Sequence, residues 1–136
     1  MRRAAAAAAV CALALTGCNG GTVDRHAVKR DAEKLASLAI EGRLLANDVS
    51  KGASTRYFAR VHAKELSEAA SHLEDALAER PTSPGIEPKV RKLSHLAGKI
   101  AAALDQLHEH PTDRGVAESL KDPLASLSDD ADALSK

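Results

Sequence analysis

Beyond its first two dozen residues the chain repeats one pattern: an apolar side chain every third or fourth position, with charged and small polar residues between. Val28, Leu35, Leu38, Gly42, Leu45 and Val49 fall on one side of a 100°-per-residue wheel and predict a helix from Asp24 to about Val49. Gly52 suits its C-terminal cap, and the hydroxyls of Ser54 and Thr55 suit the next N-cap. Phe58, Leu66, Ala69, Leu73, Ala76 and Leu77 then predict a second helix over roughly Thr55 to Glu79. Pro81, Pro84 and Gly85 break the chain. Pro88 fits the first turn of a third helix, whose stripe of Val90, Leu93, Ala97, Ile100, Leu104 and Leu107 runs to Pro111. A fourth starts near Thr112 or Asp113 and carries Val116, Leu120, Leu124, Leu127, Ala131 and Leu134. Asp122-Pro123 is expected to split it into two segments sharing one apolar face.

No strand-like alternation competes with these helices after residue 18, and connections of roughly 4–8 residues favour antiparallel neighbours. The expected fold is therefore all-α: an up-down four-helix bundle with a proline-interrupted fourth helix, preceded by a cleaved signal peptide. A three-helix bundle with a loose C-terminal hairpin is the alternative.

The N-terminus has a different organisation. Arg2 and Arg3 precede the twelve uncharged, largely apolar residues Ala4 to Leu15, too few to span a bilayer, which takes ~20. Charged start, short apolar run and small residues make the layout of a secretory signal. Leu15-Thr16-Gly17-Cys18 resembles the lipobox of bacterial lipoproteins. That resemblance, confined to residues 1–18, implies cleavage before Cys18 and a diacylglycerol on its thiol, with residues 1–17 as signal peptide, 18–23 as lipidated tether and 24–136 as one domain. It also implies that Cys11 leaves with the signal, so no thiol remains for a disulfide or a nucleophile. Several acyl chains hold a protein to a membrane without help. A membrane-binding surface on the domain itself is therefore not expected.

Charge narrows the function classes. Nineteen basic residues balance nineteen acidic ones, and loss of Arg2 and Arg3 leaves a net of −2 with no basic block in the sequence. Nucleic acid is not an expected partner: Tyr57 and Phe58 are the whole aromatic complement, and base stacking relies on aromatic faces.

No hydrolase elbow or glycine-rich phosphate loop occurs. His108-Glu109-His110 has the wrong spacing for a zinc protease, whose histidines stand four apart on a continuing helix. His62 falls near the centre of the second helix's apolar stripe, between Phe58 and Leu66. Antiparallel counting about Gly52 sets it opposite Gly42, which leaves room for the imidazole, with Glu41 or Glu65 to take its hydrogen bond. The same counting gathers Glu41, His62, Glu65 and His108 as a candidate divalent-metal set. A ferritin-like Glu-x-x-His pair is missing, and the only methionine is Met1, which disfavours Met/His haem ligation. Ala36, Ile40 and Leu44 lie nearly opposite the main stripe of the first helix and form a candidate interaction face. Burial of that helix against both its neighbours is the simpler explanation and the one preferred from sequence.

The expected function is that of a lipid-anchored, non-enzymatic protein-interaction module of the bacterial cell envelope. Its partners would be the membrane through Cys18 and an envelope protein or a second copy, with no cofactor beyond the covalent lipid. The alternative is a periplasmic metal- or haem-binding bundle centred on His62.

Overall fold

The computed structural model describes residues 21–136; the expected signal peptide and Cys18 lie outside them. The described chain is all-α. Its helices are α1 (Arg25–Ser50), α2 (Arg56–Glu79), α3 (Glu87–Glu109) and α4 (Arg114–Ser135), and together they form a helical bundle. None is long and apolar enough to cross a membrane.

Local chemistry sets the ends. Asp24 Oδ1 accepts from the Ala27 amide at 2.7 Å and Thr55 Oγ1 from that of Phe58 at 3.2 Å. Asp113 Oδ1 takes both Gly115 and Val116 amides, so three helices start on side-chain caps. After α1, Gly52 turns left-handed at φ 70, and the amides of Gly52 and Ala53 return to the Val49 and Asp48 carbonyls. This is a Schellman closure, which needs a residue without a Cβ at the turn. α4 is continuous from Arg114 to Ser135 with Pro123 inside it, contrary to the expected interruption. Pro123 is exposed. Leu120 before it and Leu124, Ala131 and Leu134 after it are buried and hold both halves to the bundle.

α1 packs mainly on α4 and α2 mainly on α3; α1 also touches α3, while α2 and α4 do not meet. A buried serine ties each main pair. Ser67 Oγ donates within α2–α3 to the Asp105 carboxylate or the Ala101 carbonyl, 2.6 and 3.2 Å away. Ser128 Oγ of α4 donates to the Ala36 carbonyl of α1 at 3.2 Å. Gly42 lets α1 and α3 approach across the middle, since a Cβ there would stand 2.5 Å from Leu104 Cδ2. The contact between α1 and α2 is the thinnest of the set.

The stripes of α1 and α3 are buried throughout, and that of α4 is buried except for half-buried Val116 and Leu127. On α2 the face is rolled. Ala59, Ala63, Leu66, Ser67, Ala70, Leu73 and Leu77 are buried, Ala69 and Ala76 only half so, and Phe58 is exposed. The cause is the run of small residues at 59, 63, 67 and 70, which admits α3 closely and turns the larger side chains outward.

The core begins at Val23, earlier than the expected start at residue 24. Val23 is fully buried; its amide donates to the Pro81 carbonyl (2.8 Å), and its carbonyl accepts from the Ser83 amide (3.0 Å). Arg80 Nε reaches the Gly21 carbonyl at 3.2 Å. The incoming chain is thus fastened to the α2–α3 loop, and the core of the described residues runs from Val23 to Leu134.

Candidate interaction site

His62 stands at the edge of the bundle, beside α1. Its Nε2 lies 3.0 Å from Glu41 Oε1 and its Nδ1 3.8 Å from Glu65 Oε2. The ring stacks on Phe58, with centroids 5.3 Å apart. The counting that paired α1 with α2 is met within one residue, but the expected burial of His62 against Gly42 is not: Gly42 faces Leu104 and Leu124, and the imidazole is a quarter exposed. The roll of α2 toward α3 moved it off the core.

Three members of the candidate metal set, Glu41, His62 and Glu65, are adjacent. His108 is turned elsewhere, its Nδ1–H donating to the Arg60 carbonyl at 2.9 Å. Among the described residues no group of three or more His, Cys, Asp or Glu has the geometry to hold a metal ion. The contacts of His62 are those of an edge imidazole lying between two surface carboxylates and an aromatic ring.

A more distinctive feature surrounds that pair. The exposed large hydrophobic residues among those described are Ile40 (50%), Leu44 (60%), Tyr57 (80%), Phe58 (54%) and Val61 (37%). They all lie in the second half of α1 and the first two turns of α2. On a helical wheel Leu44 stands about 60° outward from Glu41, and Phe58 and Val61 stand outward from His62 by about 40° and 100°. Because Glu41 touches His62, Leu44 and Phe58 flank the seam where α1 and α2 meet. Ile40 and Leu44 of the expected interaction face are therefore in the open, and burial of α1 on both sides is excluded. Ala36 is not part of that face; it is half-buried against the core, with its carbonyl tied to Ser128.

Sequence reasoning placed Phe58 in the core and passed over Tyr57 and Val61. The signal was present in the spacing of Ala59, Ala63, Ser67 and Ala70, which defines a continuous small-residue face once size is not taken as a mark of burial. Compared with protein families, curated proteins and solved structures, the chain matches none.

Proposed function

We propose that this protein is a lipid-anchored component of the bacterial cell envelope, an up-down helical bundle that acts through protein contacts and not through catalysis. Cleavage before Cys18 and acylation of its thiol would hold it on the membrane. The surface for its partner is centred on the α1–α2 seam, with Leu44 and Phe58 flanking it. One observation carries this reading: the exposed large hydrophobics among the described residues, Ile40, Leu44, Tyr57, Phe58 and Val61, all fall in the second half of α1 and the first two turns of α2. Leu44 lies ~30 Å along α1 from the end where the tether enters, at ~1.5 Å per residue. A patch so far from the anchor is presented away from the bilayer, and clustered exposed apolar side chains mark protein contacts. The occupant is an envelope protein with an apolar face of its own.

The test is a chain carrying Ile40→Ser, Leu44→Ser and Phe58→Ser. It is expected to keep its helical circular dichroism while losing in-cell crosslinking to its partner. Crosslinking undiminished by the three changes would overturn the surface. Capture of a second copy alone, with a dimer in solution, would replace a separate partner by self-association. A stoichiometric metal in the purified protein, lost on His62→Ala, would replace the proposal by the metal-handling alternative. The anchor is tested apart from these: Cys18→Ser should leave an uncut precursor without lipid, and a normal-sized soluble product would refute it.

A further inference from the structure

The opposite end of the bundle holds an open cavity of about 530 Å³, within the range of ordinary small-ligand sites. Its floor is apolar: Val28 of α1, Ile86 before α3 and Leu134 of α4, all buried. Its rim is cationic, with Arg25, Lys29 and Lys89, and with Lys136, whose ammonium is paired with Asp132 at 2.8 Å. No Asp or Glu side chain lines it. The nearby carboxylates are engaged locally, Asp24 with the Ala27 amide, Glu87 with the Gly85 amide and Asp132 with Lys136. Lys29 is held only loosely, 4.0 Å from Glu33, and among the described residues Arg25 and Lys89 have no ion pair. α3 begins at this cavity without a side-chain cap, with Glu87 in its first turn.

Position supplies the occupant. Gly21 and Val23 are bonded to Arg80, Pro81 and Ser83 at this end, and the three residues from Gly21 back to Cys18 span at most ~11 Å. On the lipoprotein reading, on which this inference rests for its location, the cavity lies at the end of the bundle nearest the bilayer. We propose that it binds the phosphate of an anionic phospholipid, with the glycerol and the first acyl carbons on the Val28, Ile86 and Leu134 floor. Each Lys or Arg brought to an anionic surface strengthens attachment, and a headgroup held here fixes the bundle upright with the α1–α2 seam outward. The chain as a whole is charge-balanced. The four cations come from three separate stretches of sequence, and only folding brings them together.

The experiment uses the chain from residue 18 with Cys18→Ser, which contains the whole core and no acyl group, sedimented with phosphatidylcholine vesicles with and without phosphatidylglycerol. Binding is expected to the anionic vesicles alone. Lys29→Glu with Lys89→Glu should weaken it ~10-fold or more, while the distal reversal Arg60→Glu with Lys64→Glu leaves it unchanged. No binding to anionic vesicles, or equal loss from the distal reversal, overturns the proposal. So does binding of inorganic phosphate that matches the vesicles and is equally sensitive to the rim, which would make this a site for a soluble anion. Because no lipid is attached in this experiment, its result is independent of whether Cys18 is acylated in cells.

Discussion

The two ends of the bundle are closed by the same four helices with different side chains. Toward the tether the core cluster is built on Val23, Val28, Leu35, Leu73, Leu93, Leu96 and Ile100. Beyond Gly42 a smaller cluster takes over, in which Ala46, Ala59, Ala63, Ala103 and Ala117 make up half of the ten buried residues. Five large apolar residues beside it, Ile40, Leu44, Val61 and both aromatics, Tyr57 and Phe58, stand outside it. Burial of a Leu, Ile or Phe side chain contributes ~1.5–3 kcal/mol, so the far end forgoes stability that its own sequence contains. On the function proposed above that surface is kept for a partner, whereas the tether end keeps its apolar residues inside and turns lysine and arginine out.

The largest expected effect lies in the core near the tether. Leu93→Ala removes a side chain with no exposure and should lower unfolding stability by ~2–5 kcal/mol in denaturant melts. At the junction, Gly42→Leu should cost ~1–3 kcal/mol, because the new side chain meets Leu104 and Leu124; a neutral result would mean that α1 and α3 do not touch there. Phe58→Ala deletes a larger side chain than either of these changes involves, yet it should cost less than ~1 kcal/mol, because the ring is half exposed. A loss equal to that of Leu93→Ala would erase the contrast between the ends.

The smallest effect is pH-dependent and belongs to the tether end. Burial pushes the Asp31 carboxyl above the ordinary carboxylate range, against the pull of Arg80. Its Oδ2 has no hydrogen-bond partner among the described residues, with Arg80 Nη1 at 4.0 Å. A folded-state value raised above the unfolded one favours the protonated form. The stabilisation is therefore complete below the ordinary carboxylate value of ~3.9 and is lost as pH rises through the folded value. At neutral pH the ionised Asp31 is a cost. Asp31→Asn should accordingly raise the melting midpoint at pH 7, by an amount that shrinks as pH falls toward 4. A gain that grows on acidification would reverse the assignment.

Helix number, ends and three of the four buried stripes were legible in the sequence because they rest on neighbours along the chain. Asp24, Thr55 and Asp113 cap by contacts two or three residues away, and the stripes of α1, α3 and α4 follow from a fixed helical period. Three matters depended on which helix lies against which. The roll of α2 follows from how closely α3 approaches Ala59, Ala63 and Ala70, and it carried Phe58 and His62 out to the edge. The continuity of α4 through Pro123 follows from core contacts on both sides of the proline, which hold the helix where local propensity would end it. The cationic rim joins Arg25 and Lys29 to Lys89 and Lys136, positions that share no periodicity. A helical wheel records direction around one axis, whereas these three features are set by distances between axes.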